Sequence, residues 1–342
     1  MMVPVVDMHC DTVSEIFEDT FKKQPEARRH LRRNNLQVDL ERMKAAGYMC
    51  QCFAIFIDQN SYRRYVSDPF DYLCRFSACM DREVAANEDL IRFARTGSDI
   101  ERNFREGKMS ALKTVEDSFV YKGDLELLKK GYEMGVRKST LTWNYENELA
   151  FPNPGKSKGP DAIDTVNGLK KRGFEFVEAM ESMGMLIDIS HLNDRGIQDV
   201  FRTVKKSTPI VASHSNARGV CNHKRNLTDE MIRQLADHGG VAGLNFCPMF
   251  VSEENWTKLR RGSCLSRIVD LVRHLRYIRN VGGVDVLALG TDLDGISGQL
   301  EINGCGPMQK IAEAMELAGF TDDEIEKVLF RNVLRVYKDA LG

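Results

Sequence analysis

No apolar run in this 342-residue sequence is long enough to cross a bilayer. The longest charge-free stretch near the run around Gly243 ends at Glu253, short of the about 20 apolar residues that a span requires. A basic leader is also lacking: the chain opens Met-Met-Val-Pro-Val-Val-Asp-Met-His-Cys, and Asp7 interrupts the first apolar segment, so no secretory signal is expected. Nor is there an excess of one charge. The formal net charge is -2, which provides no long-range field to gather nucleic acid or anionic membrane. The one basic cluster, Arg28, Arg29, His30, Arg32 and Arg33, has no interleaved aromatic residues and reads as a solvated loop. Neither nucleic acid nor membrane is therefore an expected partner. Cys50 and Cys52 have no second cysteine pair at ligand spacing beside them, and read as small buried hydrophobes. The nine cysteines, an odd number without a signal, point to reduced thiols and a cytoplasmic setting.

Low-complexity segments, Pro/Ser-rich linkers and short repeats are absent as well, so a single domain over residues 1–342 is expected. What recurs is a short β-branched or apolar run followed by a longer stretch of helical period. The strands predicted this way are residues 3–7, 49–57, 109–115, 138–142, 185–189, 210–213, 240–246 and 286–290. Helices are predicted over 37–46, 81–95, 124–134, 164–183, 194–205, 229–238 and 267–281, with two more, 307–317 and 322–340, after the last strand. Thr321 and Glu324 form an S/T-x-x-E capping box at the start of the second of these. Alternating strands and helices imply parallel pairing, because a parallel crossover takes a dozen or more residues. Eight such units close most naturally into a TIM-type (β/α)₈ barrel, here with extra C-terminal helices.

The unusual polar residues fall at one end of those strands. His9 and Asp11 follow the first, Glu116 the third, His191 the fifth, His214 the sixth and Asp292 the eighth. That end is the C-terminal rim, where barrels of this kind gather catalytic groups. Side chains alternate along an extended chain, so His9 and Asp11 share a face and can hold one ion together, although an isolated H-x-D pattern is often incidental. A lone rim histidine is commonly just hydrogen-bonded, but three of the seven histidines at equivalent positions, with carboxylates, make a metal site. Lys113 points to the face opposite Glu116 by the same alternation, which leaves Glu116 free to bridge two ions. Nitrogen and oxygen donors suit zinc first, with cobalt and manganese as substitutes. Asp292 is the expected proton shuttle beside a metal-activated water, and Asp294, taken to share its face, a turn residue.

With those residues in place, the sequence resembles the membrane dipeptidase (renal dipeptidase) family of zinc peptidases. The resemblance runs over nearly the whole chain in seven ordered motifs: residues 7–12 (DMHCDT), 115–117 (VED), 141–148 (LTWNYENE), 188–191 (DISH), 213–218 (SHSNAR), 224–230 (KRNLTDE) and 290–295 (GTDLDG). It implies that His9 and Asp11 hold one zinc, His191 and His214 the other, and Glu116 bridges them. It further implies that Arg225 grips the free carboxylate of a dipeptide, that Asp292 handles the proton and that the chain is a homodimer, while the rim constellation itself suggests a bridging metal-bound hydroxide that attacks the peptide bond. The sequence departs from the family at Asp117, Ser118 and Phe119, where glycines often follow the bridging glutamate, at Trp143, where animal members carry histidine, and at Phe250, in place of a tyrosine. The other readings of the same rim are a different binuclear amidohydrolase, acting on β-lactams or other amides, and a non-catalytic barrel.

Overall fold

Strand β1 (Val5–Cys10) is buried along its whole length. The same holds for β4 (Met109–Glu116) and β5 (Val136–Thr140), as parallel strands covered on both faces require. The computed structural model describes residues 2–21, 28–153, 165–258 and 264–342. Its remaining strands are β2 (Tyr48–Phe56), β3 (Ile91–Phe93), β6 (Leu186–Asp188), β7 (Val211–Ala212), β8 (Val241–Leu244), β9 (Leu265–Ser266), β10 (Leu287–Leu289) and β11 (Gln299–Leu300).

The order β2-β1-β10-β8-β7-β6-β5-β4 is parallel throughout, and β4 pairs back onto β2, closing an eight-stranded barrel with helices outside it. All eight predicted strands are barrel strands, with ends shifted by a few residues. The structure corrects the predicted helix over 81–95. The helix there is Pro69–Ala85, capped by the Asp68 carboxylate, and the chain then forms β3, which borders Met109–Ala111 before β5 takes over from Lys113. Three residues are too few to show a period in the sequence. The helix predicted over 164–183 is observed as Lys171–Met183; residue 164 itself lies outside the described residues.

One helix closes the floor of the barrel. The C-terminal helix Asn332–Leu341 lays Val333, Val336 and Tyr337 against the inward side chains Met8, Cys50, Cys52 and Leu112, with the Tyr337 hydroxyl 2.9 Å from Cys52 Sγ. This helix continues, through a π-helical stretch at Lys327–Arg331, from Asp322–Glu326, whose Thr321/Glu324 capping box is present. Inside the barrel, Lys138 Nζ donates to Met8 O at 2.9 Å and meets Asp188 Oδ2 at 3.1 Å. All nine cysteines are free, Cys50 and Cys52 fully buried among them. The basic cluster is paired with acids: Arg29 with Asp19 and Glu15, Arg32 with Asp89, His30 with Glu83. Among the described residues no helix is long and apolar enough to cross a membrane.

Candidate metal centre

Each strand delivers its polar residue where the extended run stops. Glu116 is the last residue of β4, and His9 the last but one of β1. His191, Asp292 and Asp294 turn the chain at φ 71°, 64° and 67°, the left-handed region that non-glycine residues rarely occupy. Such strain at three rim positions is tolerated because the surrounding hydrogen bonds fix them. It also corrects one expectation. Asp292 and Asp294 do not alternate along an extended strand: Asp292 points to His9, while Asp294 accepts hydrogen bonds from Thr12 Oγ1 at 2.5 Å and the Gln37 amide at 2.8 Å, the turn role anticipated for it.

His9, Asp11, Glu116, His191, His214 and Asp292 come together, all at least nine-tenths buried. His9 Nε2 lies 3.3 Å from Asp11 Oδ2, 3.4 Å from Glu116 Oε2 and 3.8 Å from Asp292 Oδ1. The other Glu116 oxygen, Oε1, lies 3.0 Å from His191 Nε2 and 3.5 Å from His214 Nε2. One carboxylate therefore faces two clusters, one through each oxygen. Lys113 turns away to Asp81 and Ser77, as alternation predicts.

Several polar atoms here lack a protein partner. Both ring nitrogens of His9 and Asp11 Oδ1 are buried with no hydrogen bond. His191 Nε2 and His214 Nε2 face each other at 2.9 Å, while their Nδ1 atoms are held by Asn144 Oδ1 at 3.1 Å and Ser213 Oγ at 2.7 Å. Two imidazoles anchored at Nδ1 and converging at Nε2 present lone pairs to a shared point. Burial keeps both neutral, the ligating form: the pKa of His191 is lowered to about 4, with Arg225 adding to the effect, and that of His214 is well below normal. Burial also opposes charge on His9, but Glu116 and Asp11 outweigh it and hold its pKa well above the imidazole value. Three carboxylates around one imidazole need a positive charge, and a cation would supply it. Ligand atoms of His9, Glu116 and His214, and of His9, Asp11 and Asp292, lie within 4.8 Å of one another, so the donor set fits a divalent ion.

Burial raises the Asp292 carboxyl to about 7, helped by Asp11 and Glu116. Arg225 is buried, with Nη1 3.3 Å from Ser215 Oγ and Nη2 3.4 Å from His214 O. Its guanidinium carbon sits 5.5 Å from the Phe250 ring centre, its Nε has no partner, and it forms no ion pair among the described residues. Trp143, half-buried, lies 6.2 Å from the His191 ring and packs on Phe56.

Two residues beside the ligands shape the site through the backbone. Asp117, following Glu116, adopts φ 75° and accepts from Gln59, Asn147 and the Phe119 amide, so side-chain hydrogen bonds hold a turn that glycine takes freely. Gly295 is needed for space: a Cβ there would lie 2.1 Å from Asp11 Oδ2.

The family profile described as Membrane dipeptidase (Peptidase family M19) matches residues 1–341. An uncharacterized protein from the pqqA 5' region of Klebsiella pneumoniae is 31% identical over 273 residues, covering 80% of this chain and 97% of that protein. A protein named as an uncharacterized dipeptidase of Schizosaccharomyces pombe is 29% identical over 315 residues, covering 88% of this chain and 71% of that one. Among solved structures, a Rhodobacter sphaeroides metallopeptidase liganded with a phosphinate mimic of the dipeptide L-Ala-D-Ala superposes with a TM-score of 0.86 at 23% identity, over 99% of this chain and all of that one.

Proposed function

The chain belongs to the membrane dipeptidase family, and from that premise we propose that it is a dipeptidase working with two zinc ions. The observation that carries the reading is Glu116, with Oε2 toward His9 and Oε1 toward His191 and His214. In this reading His9 and Asp11 hold one ion, His191 and His214 the other, and Glu116 both. Such a pair supplies a nucleophile at neutral pH, by lowering the pKa of water, and charge stabilisation for a tetrahedral oxyanion.

The chain's own residues do the rest. Asp292 takes a proton from the attacking water and returns it to the leaving amine. Arg225 receives the substrate's carboxylate through the planar guanidinium, whose donors are underused by the protein. A carboxylate anchored at a fixed distance from the scissile bond favours dipeptides over longer chains. The dipeptide mimic held by the Rhodobacter sphaeroides relative supports that choice of substrate. One barrel domain, a homodimer and a cytoplasmic location complete the proposal, the last resting on nine free thiols.

The test is metal analysis of the purified protein together with dipeptide cleavage before and after chelation. Turnover is expected to vanish with the metal and return with zinc. Glu116→Ala is expected to lose both ions and turnover, and full activity in that variant would end the scheme.

A further inference from the structure

Asn245 follows β8 and is fully buried. Its backbone is tied to Asn216 by a reciprocal pair: the Asn245 amide donates to Asn216 Oδ1 at 2.8 Å, and Asn216 Nδ2 donates to Asn245 O at 2.9 Å. The orientation of its side-chain amide is forced by two main-chain groups. The Cys247 N–H, only a donor, reaches Oδ1 at 2.7 Å, and the His214 carbonyl, only an acceptor, faces Nδ2 at 3.2 Å. The remaining Nδ2 hydrogen goes to Asp292 Oδ2 at 2.9 Å.

Since that nitrogen cannot accept, Asp292 Oδ2 must. We infer that Asn245 is a positioning residue, which locks Asp292 with Oδ2 engaged and leaves Oδ1, 3.8 Å from His9 Nε2, as the oxygen that takes the proton from water and hands it to the leaving amine. This inference rests on the dipeptidase reading. Through the same amide, Asn245 ties Asp292 to the main chain of His214, so proton carrier and metal ligand keep a fixed separation. Asp292 makes no other side-chain hydrogen bond among the described residues, which leaves its rotamer dependent on Asn245.

Asn245→Asp keeps the shape and the acceptor for Cys247 but replaces the donor facing Asp292 with a second carboxylate oxygen. The expected result is a kcat lower by about 10²-fold, the scale of general acid-base catalysis, with KM within about threefold of wild type. Both zinc ions are expected to stay bound, read by competition with a chromophoric chelator, with an affinity loss no greater than the about 10–100-fold of an outer-shell change, because no ligand is removed. In an Asp292→Asn background the substitution should cost nothing further in kcat, whereas a merely structural role would give additive losses. A crystal structure of the variant should show the Asp292 carboxylate rotated off its wild-type position, a readout independent of turnover. Wild-type kcat, additive losses, loss of a bound zinc ion or an unmoved Asp292 would each overturn the inference. Asn245→Ala provides the same readouts if Asn245→Asp does not fold. A wild-type protein that binds zinc yet cleaves no dipeptide would instead sink the underlying reading, and the crystallographic test of Asp292 would still stand.

Discussion

Asp11 and Asp292 approach the same imidazole because residue 295 has no side chain. A Cβ at Gly295 would sit 2.1 Å from Asp11 Oδ2 and 2.7 Å from Asp292 Oδ1, closer than atoms pack, so Gly295→Ala must push at least one carboxylate aside. Misplacing a catalytic group by about 1 Å costs on the order of 10²-fold in rate, and a loss of that size, with reduced metal content, is expected. Metal analysis beside kcat measurement checks it, and wild-type values for both would refute the steric account. Arg225 invites a substrate-based test. Arg225→Ala is expected to raise KM for a free-carboxylate dipeptide by about 10²-fold while leaving the C-terminally amidated dipeptide unaffected, since the guanidinium pairs only with the charged end. Equal losses on both substrates would remove the role. His9, Asp11, Glu116, His191, His214 and Asp292 were all legible in the sequence, because each interrupts an apolar run at its C-terminal end. Asn245 was not, since the predicted strand 240–246 runs through it and only its tertiary partners distinguish it.

At the scale of elements, His274 on the helix Ile268–Gly282 links the wall of the barrel to the loops above it. Its Nδ1 accepts from the Ala217 amide at 3.2 Å and its Nε2 donates to Val251 O at 3.0 Å, so the ring is neutral with both nitrogens occupied. Burial lowers its pKa to about 4, against about 6.5 for an unperturbed imidazole. Between those pH values the unfolded chain binds a proton that the folded chain does not. The contribution of His274 is therefore full above pH about 6.5 and is lost on acidification, at about 1.4 kcal/mol per pH unit. Urea unfolding at a series of pH values from 6.5 to 4.5 should give a shallower acid dependence for His274→Gln than for wild type. Parallel curves would show that the ring titrates normally. The helical periods of such elements were readable locally, whereas β3 was absorbed into a predicted helix, because its strand character comes from pairing with β4.

For the molecule as a whole, the barrel carries a charged pair at its centre. Lys138 Nζ and Asp188 Oδ2, on neighbouring strands, are 3.1 Å apart and out of contact with water, and Asp188 Oδ1 also accepts from the Ser190 and Ser213 amides at 3.0 Å. Burial opposes the Asp188 charge, but Lys138, His214 and the hydrogen bonds from Ser213 together outweigh it and hold the carboxyl well below its usual range. Lys138→Met leaves that charge unpaired, and a loss of about 3–5 kcal/mol in unfolding free energy is expected from urea titration. Wild-type stability would mean that the pair contributes nothing. The sequence alone determined the eightfold alternation of strand and helix and the rim position of every proposed ligand, because hydrophobic period and strand ends are local properties. Tertiary structure decided that the C-terminal helix plugs the barrel floor, that Lys138 meets Asp188, and that Asn245 engages Asp292 across 47 residues. No local pattern encodes these contacts, since their partners become neighbours only when parallel strands close the ring.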